Sequence, residues 1–200
     1  GLKGSVGLLR FASGQGLFHR MDKNDGRRKD IPIGYPAKSK GVTVIMLARP
    51  DCSKSPVRCF RLRDQDNKSM LQVRAYPNNE WKLVVRAGAT TKEVKVGGRD
   101  SRQFSLVGVT WNIETNKALL SVRGEDGNKA RAEGDSPKED RGVLNELSIA
   151  DFSKDASKPV VAEDTFAGDI VCLVVWPFAM DWNARSSQEM KFMKHYFNKP

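Results

Sequence analysis

The sequence predicts an all-β sandwich with a short C-terminal helix, and three patterns predict it. Apolar and polar residues alternate along many short segments, as they do in strands that bury one face. Two segments, residues 42–48 and 165–176, are apolar at almost every position and are typical of inner strands. Ser186 and Glu189 have the spacing of a helix capping box, and apolar residues recur at helical intervals after them.

A central hairpin is predicted between residues 103 and 123. Apolar residues occupy both alternating sets of residues 104–111, so this strand is expected to have little solvent on either face. The polar residues 112–117 then predict a turn, and residues 118–122 predict the returning strand. Because an isolated hairpin is only marginally stable, we expect other strands to cover it.

The remaining strands are predicted from shorter patterns, with Gly, Pro, Asn and Asp marking the turns between them. They are residues 4–11, 16–20, 42–48, 58–63, 70–76, 81–86, 92–96, 129–133, 144–149 and 165–176. Residues 92–96 are expected to be an edge strand. A long surface connection is predicted at 21–41, a mobile loop at 134–142 and an irregular surface segment at 150–164.

Chain length and hydropathy predict one domain over residues 1–200 without a membrane span. Two hundred residues suit a single large sandwich, and no internal repeat suggests a second domain. No segment approaches the roughly 18 consecutive apolar residues of a membrane helix. The first residues lack the charged-then-apolar form of a secretion signal, although a processed signal would leave no trace.

The net charge of +10 comes from the first third of the chain. Residues 1–63 contain 14 Lys and Arg against 4 Asp and Glu, whereas residues 64–200 contain 20 of each. Such an excess would attract an anionic partner, such as an acidic polysaccharide, a phospholipid or a nucleic acid. The mixed signs of residues 21–30 argue against nucleic acid, and a merely solvated basic surface is the alternative.

The three cysteines, Cys52, Cys59 and Cys172, do not make a disulfide framework in a chain of this length. Cys52 and Cys59 flank a loop that contains proline, and the sequence leaves open whether they form a bridge. Cys172 lies in an apolar segment and is interpreted as a small buried hydrophobic residue. Only two histidines are present and no close Cys or His spacing occurs, so no zinc site is predicted.

One predicted sheet face carries the candidate ligand-binding residues. If segments 58–63, 70–76 and 81–86 pair as hairpins, one alternating set of side chains points to the same side of all three. This set comprises Arg61, Arg63, Gln72, Arg74, Tyr76 and Arg86, together with Cys59. The face is expected to be basic with an aromatic residue at its edge. The alternative is a solvent-exposed face on which Lys and Arg limit aggregation.

The order of the segments resembles a known superfamily. The segments LLRFASGQGLF, VTVIMLARPD, FSLVGVTWNIETNKALLSVRGEDG and FAGDIVCLVVWPFAM, closed by a helix, are similar to the laminin-G-like branch of the concanavalin A-like lectin and glucanase superfamily. The resemblance spans nearly the whole chain and consists of positions that form the fold. It implies a two-sheet antiparallel jelly roll in which one sheet is concave.

The chain does not carry the catalytic acids that the resemblance would imply for a glucanase. Glucanases of this superfamily place two Glu and one Asp at alternate positions of a strand, and no E-x-D-x-x-E or E-x-D-x-E segment occurs. The acidic pairs at 125–126 and 139–140 lie in turn-like segments, and adjacent strand residues would point to opposite faces. Tyr76 beside Arg74 and Gln72 leaves a polysaccharide lyase as the alternative.

Metal and sugar-stacking sites have weaker sequence support. Calcium is common in lectin-like relatives, and the candidate ligands are Asp64, Asp66, Asn67, Asp126 and Asn128. Asp and Asn are common in turns, and turn formation explains these residues without a metal. No cofactor is therefore expected, and calcium is the alternative. Trp176, Phe178 and Trp182 form either a stacking platform for a sugar or a cover for the edge of the core.

These observations predict a non-catalytic surface-recognition module that acts outside the cell or on a particle surface. Its expected partner is a glycan or another anionic polymer, and the ligand-binding residues are those of the basic face. The other expectation is an adhesive or coat subunit with protein neighbours in an assembly such as a virion. A polysaccharide-degrading lyase or glycoside hydrolase of the same fold is the alternative, because a fold does not fix a function.

Overall fold

The computed structural model describes residues 9–11, 17–20, 41–64, 66–97, 103–138, 144, 146–149 and 166–197, which form twelve strands and one helix. The strands are β1 (Leu9–Phe11), β2 (Leu17–Arg20), β3 (Gly41–Pro50), β4 (Val57–Arg63), β5 (Ser69–Ala75), β6 (Trp81–Ala87), β7 (Thr90–Val96), β8 (Ser105–Asn112), β9 (Lys117–Gly124), β10 (Lys129–Asp135), β11 (Glu146–Ile149) and β12 (Gly168–Trp176). The helix is α1 (Trp182–Phe197).

The described strands form two six-stranded antiparallel sheets. Sheet A has the order β1-β12-β3-β8-β9-β10, and sheet B has the order β2-β11-β4-β5-β6-β7. Strands that are distant in the chain become neighbours, since β12 pairs with β3 and β11 pairs with β4. The predicted all-β, two-sheet antiparallel jelly-roll sandwich with a C-terminal helix is therefore confirmed, and β7 is the edge strand that its sequence predicts.

The central hairpin forms as predicted. β8 pairs with β9 from Ser105 opposite Gly124 to Asn112 opposite Lys117. Asn116 closes the intervening turn with a φ of 52°, in the left-handed region that Asn tolerates better than most residues. Both faces of β8 are covered, because one packs into the core between the sheets and the other lies under α1.

The main core lies between the two sheets. Its largest side chains, each almost fully buried, are Trp81, Trp111, Phe60 and Phe166. Burial of an aliphatic or Phe side chain of this kind contributes about 1.5–3 kcal/mol, so this core supplies most of the drive to form the sandwich.

Strand β3 explains why residues 42–48 are apolar at nearly every position. Val44 and Met46 point into the core between the sheets, whereas Ile45 and Leu47 belong to a second cluster beneath α1. Met193 and Phe197 of the helix complete that second cluster. Sheet A is therefore buried on both faces around β3, and the prediction of an inner strand is confirmed.

The helix begins one turn before the predicted capping box. Asp181 is its N-cap, because the Asp181 Oδ1 atom accepts a hydrogen bond of 2.8 Å from the backbone N–H of Ala184. Ser186 consequently lies inside α1, and the prediction that the helix starts there is wrong. Glu189, the other member of the predicted box, is fully buried and contacts the sheet instead.

A buried polar network joins α1 to sheet A. The Arg185 Nε atom lies 3.2 Å from the Glu189 Oε1 atom, and both side chains are fully buried. Ser121 Oγ of β9 donates a 2.6 Å hydrogen bond to the same carboxylate oxygen. Arg185 also donates to Thr110 Oγ1 and to Ser121 Oγ, both at 3.1 Å. Burial lowers the pKa of Arg185 to about 10, and the Glu189 carboxylate offsets part of that effect.

Strand β4 contains a bulge that the alternation pattern does not show. Arg58 pairs with Arg74, Phe60 pairs with Val73, and the register shifts between them at Cys59. Cys59 and Phe60 are both fully buried in the main core. The prediction that Cys59 lies on the basic face is therefore wrong, because the extra residue turns its side chain inward.

Several predicted segments differ at their bounds or lie outside the described residues. Strand β10 extends to Asp135, so the predicted loop at 134–142 begins later than expected. The predictions for residues 21–40 and 150–164 fall on residues that the structure does not describe. Among the helices of the described part, none is long and apolar enough to cross a membrane.

Candidate functional site

Strands β4, β5 and β6 place most of the predicted binding residues on one face, which we call the arginine face. Core residues such as Leu71 and Val73 alternate with this face and are fully buried. The register aligns three residues from each strand into three rows across the sheet. The arginine face consists of Arg58, Arg61 and Arg63 of β4, Met70, Gln72 and Arg74 of β5, and Lys82, Val84 and Arg86 of β6.

One of these rows is made only of cations, and we call it the cationic row. Arg58 lies opposite Arg74, Arg74 opposite Lys82, and Lys82 opposite Lys95 of β7. Side chains directly opposite each other in an antiparallel pair have Cβ atoms about 4.5–5.5 Å apart, and like charges at that spacing repel. Four like charges in succession across four strands therefore make a local region that favours a bound anion.

The arginine face is less exposed than its sequence suggests. The relative accessible surface is only 6% for Gln72 and zero for Arg58. Arg61, Arg63, Arg74 and Arg86 are intermediate in exposure. The alternative interpretation, a solvent-exposed face, therefore does not hold at Gln72, which lies between Arg61 and Val84 in the sheet.

Acidic residues border the arginine face and are absent from its nine residues. Glu146 of β11 accepts a 2.6 Å hydrogen bond from Arg63 Nε. Glu93 of β7 forms an ion pair of 3.3 Å with Lys82. Arg86 donates to the backbone oxygen of Asn67. The charge of the arginine face is therefore partly neutralised at its sides, at Arg63 and at Lys82 of the cationic row.

Tyr76 lies at the edge of the arginine face, where the sequence places it. It directly follows β5, and the Lys82 Nζ atom lies 5.1 Å from the centre of its ring. Burial lowers the pKa of Lys82, but the Tyr76 oxygen and the Glu93 carboxylate outweigh it, so the net shift is upward. Lys82 therefore carries its charge at neutral pH.

The candidate calcium ligands stabilise turns. Asp64 accepts hydrogen bonds from the backbone N–H groups of Lys68 at 2.7 Å and Ser69 at 2.9 Å. Asp126 accepts from the backbone N–H of Asn128 at 2.9 Å and from its side-chain amide at 2.7 Å. Within the described ranges, no group of three or more His, Cys, Asp or Glu side chains is arranged to hold a metal ion.

The three cysteines are free thiols. Cys52 and Cys59 are both buried, and burial, followed by the nearby Cys52, raises the pKa of Cys59. Cys172 is only partly buried and packs against the second cluster under α1. Burial also raises the pKa of Cys172. Cys59 and Cys172 are accordingly poor nucleophiles at neutral pH.

The late aromatic residues do not form one platform. Trp176 packs against the cluster beneath α1, whereas Phe178 is 49% exposed. Trp182 lies under two cations of β10, with Lys129 Nζ at 3.8 Å and Arg131 Cζ at 4.6 Å from its ring centre. Because β12 and β10 are four strand positions apart in sheet A, Trp176 and Trp182 serve different parts of the molecule.

Solved structures with the same architecture were found by comparison of the folds. The CBM40 domain of the Ruminococcus gnavus IT-sialidase, bound to α2,3-sialyllactose, matches with a TM-score of 0.61 and 11% identity, over 93% of this chain and 99% of that one. Domains LG4-5 of the mouse laminin α1 chain match with a TM-score of 0.62 and 13% identity, over 88% of this chain and 44% of that one. A pentraxin from Limulus polyphemus matches with a TM-score of 0.58 and 13% identity, over 76% and 70%.

These likenesses are of fold rather than of sequence. No protein-family model and no curated protein matches the chain. The architecture is the concanavalin A-like jelly roll that the sequence resemblance implies, and carbohydrate-binding and laminin G domains share it.

Proposed function

We propose that this chain, a concanavalin A-like jelly roll, is a non-catalytic recognition module that binds an acidic glycan at the arginine face. The observation that carries the proposal is the cationic row, in which Arg58, Arg74, Lys82 and Lys95 follow one another across four strands. Strand pairing alone disfavours this arrangement, since each opposed pair of like charges costs free energy. A bound polyanion would reduce that cost at Arg74, Lys82 and Lys95, which are partly or fully exposed, whereas Arg58 is fully buried.

The residue types suit sulfate and carboxylate groups. The planar guanidinium groups of Arg61 and Arg74 match such anions with paired hydrogen bonds, which a lysine cannot provide. Their intermediate exposure leaves them open to a ligand while reducing the screening of their charge by salt. Tyr76 at the edge offers an apolar ring face against which a sugar can pack.

The fold comparisons are compatible with this proposal. The Ruminococcus gnavus domain, which is bound to α2,3-sialyllactose, shows that this architecture can carry a carbohydrate site. A module of this kind would act at a cell or particle surface, where acidic glycans are displayed.

A glycan array followed by calorimetry tests the proposal. We expect binding to sulfated or uronate-bearing oligosaccharides and none to their neutral counterparts. Affinity should fall by at least about tenfold when the salt concentration is raised from roughly 0.05 M to roughly 0.5 M, because the Debye length then shrinks to a few ångströms.

Matched variants locate the binding. Arg61→Gln and Arg74→Gln each remove one guanidinium and should each weaken binding by roughly tenfold or more, as expected for lost charge-assisted hydrogen bonds. Lys191→Gln is the control, because Lys191 is an exposed residue of α1, on the opposite sheet. Salt-insensitive binding, or equal affinity for Arg74→Gln and the parent, would contradict the proposal.

A further inference from the structure

The hairpin turn between β4 and β5 carries the only Asn-x-Ser/Thr sequence of the chain. It consists of Asn67, Lys68 and Ser69, and no other Asn is followed two positions later by Ser or Thr. This sequence is the acceptor for N-linked glycosylation when the middle residue is not proline. Because so short a sequence also arises by chance, its structural context decides its use. An acceptor Asn belongs on a surface turn of a protein that leaves the cell.

The fold places Asn67 on the outside of this turn. Asn67 is exposed, and the side chains beside it, Asp66 and Lys68, are 74% and 75% exposed. The backbone N–H of Asn67 donates a 3.1 Å hydrogen bond to the carbonyl of Asp64, which closes the turn. The φ of Asn67 is 56°, in the left-handed region that Asn tolerates. The exposed side chain therefore extends from a backbone that is already fixed.

The side-chain amide of Asn67 does not hold the turn together. The Asp64 carboxylate does so, by accepting hydrogen bonds from the backbone N–H groups of Lys68 at 2.7 Å and Ser69 at 2.9 Å. Arg86 donates to the backbone oxygen of Asn67. Within the part of the chain that the structure describes, the Asn67 amide forms no hydrogen bond. A sugar attached to its Nδ2 atom would therefore break no contact of the fold.

Two other hairpin turns provide a comparison. Asn79, between β5 and β6, and Asn116, between β8 and β9, also have a positive φ. Both are only partly exposed, and neither precedes a Ser or Thr by two positions. In those turns the conformation alone explains the choice of Asn. Asn67 combines the same conformation with an exposed side chain and the acceptor sequence.

We infer that Asn67 is a site of N-linked glycosylation. The donor is a lipid-linked oligosaccharide. The Nδ2 atom forms a bond to C1 of the first sugar, the bond between C1 and the lipid pyrophosphate breaks, and Nδ2 loses one proton. Ser69, which completes the acceptor sequence, is fully buried in the folded chain, so the transfer takes place before β5 has paired. The folded protein then leaves the sugar in solvent.

A glycan on Asn67 would stand clear of the cationic row. The turn adjoins the end of the arginine face, where Arg63, Met70 and Arg86 lie opposite one another. Arg74 lies further along β5, about 13 Å from Met70 at the rise of a strand. The inference rests on the proposed location at a cell or particle surface, and not on ligand binding at the arginine face. Glycan binding by the unmodified chain made in bacteria tests that face, so the two proposals can fail separately.

The test is to direct the full chain through the secretory pathway of animal cells with a cleavable signal peptide. The product is then digested with peptide-N-glycosidase and analysed by electrophoresis and peptide mass spectrometry. We expect the parent chain to migrate as a heavier species that the glycosidase returns to the size of the unmodified chain. The digested peptide should contain an aspartate in place of Asn67.

Matched variants assign the modification to the acceptor sequence. Asn67→Gln and Ser69→Ala should each abolish the heavier species, whereas Ser69→Thr should retain it, because Thr also completes the sequence. Asn79→Gln changes a turn residue of the same conformation and should retain it as well. Since the transfer precedes folding, the stability of the Ser69 variants does not enter the result. The inference is overturned if the secreted parent chain carries an unmodified Asn67, or if Asn67→Gln still bears the glycan.

Discussion

Arg74 of β5 and Lys82 of β6 lie directly opposite each other on the outer side of sheet B. Arg58 and Lys95 extend this opposition to both sides. Nothing in strand pairing rewards such an arrangement, because opposed like charges repel at the short distance between paired residues. The cationic row is the part of the fold to which the proposed ligand would bind. The repulsion between its side chains can be measured in the free protein.

Relieving the repulsion at the edge of the row should stabilise the free protein. Lys95 is exposed and lies opposite Lys82, so Lys95→Thr should raise the free energy of unfolding by roughly 0.2–1 kcal/mol at low salt. The gain should vanish at high salt, where exposed charges are screened. Lys92→Thr is the control, because it lies opposite Val85 on the same strand. Urea denaturation at two salt concentrations measures the free energy of unfolding of both variants. An equal gain for Lys95→Thr and Lys92→Thr would contradict the claim that like charges repel within the cationic row.

The Arg185–Glu189 pair should make the attachment of α1 sensitive to single substitutions. Glu189→Ala leaves the fully buried Arg185 without its carboxylate, which should cost about 3–5 kcal/mol. The double variant Arg185→Met/Glu189→Leu removes both charges and should cost much less, because an apolar pair leaves no isolated buried charge. Denaturation curves of the two variants test this, and a single variant as stable as the double one would show that the pair is not coupled.

Gly108 allows the close approach of α1 to sheet A. A Cβ atom at this position would collide with Glu189 Oε1 and would lie 2.9 Å from Ser121 Oγ. Gly108→Ala should therefore destabilise the protein by about 1–3 kcal/mol, as overpacking does. Gly97→Ala is the matched control, since a Cβ atom there meets nothing within 4 Å, and it should change stability by less than about 0.5 kcal/mol. Thermal unfolding compares them, and equal melting temperatures would contradict this account of the helix contact.

Stability should fall at alkaline pH through Cys59. Burial raises its pKa in the folded state, whereas an exposed cysteine ionises near about pH 8.5. The neutral thiol thus contributes stability that is complete below the unfolded pKa and is lost as pH rises above it, because the unfolded chain then releases its proton first.

Cys59→Ala should show a shallower loss of stability between about pH 8 and about pH 10, by up to about 1.4 kcal/mol per pH unit. Val57→Ala, another core truncation in β4, should lower stability without changing the pH slope. Urea denaturation over this pH range gives both slopes. Identical slopes for Cys59→Ala and the parent would show that this thiol does not set the alkaline limit.

Features that arise from the local alternation of apolar and polar residues could be predicted from the sequence. The pairing of β4, β5 and β6, and with it the alignment of Arg61, Arg74 and Arg86 on one face, follows from a period of two and short turns. The central hairpin and the inner position of β3 have the same origin, because a strand that is covered on both faces must be apolar throughout.

Features that depend on distant contacts could not be predicted in this way. Glu146 neutralises Arg63 from a position 83 residues away, on a strand whose neighbour only the folded topology decides. The bulge at Cys59 interrupts the alternation of buried and outward-facing side chains in β4, and no Gly or Pro in that strand indicates it in the sequence.

The central claim is that an acidic glycan binds at the arginine face, and NMR mapping with a sulfated neutral oligosaccharide tests it most directly. Such a ligand carries sulfate groups, which match the paired hydrogen bonds of the guanidinium groups on the arginine face. We predict that the amide signals of β4, β5 and β6 around Arg61, Arg74 and Lys82 shift on addition, and that salt reverses the shifts. Shifts confined to other strands, or none at low salt, would contradict the account.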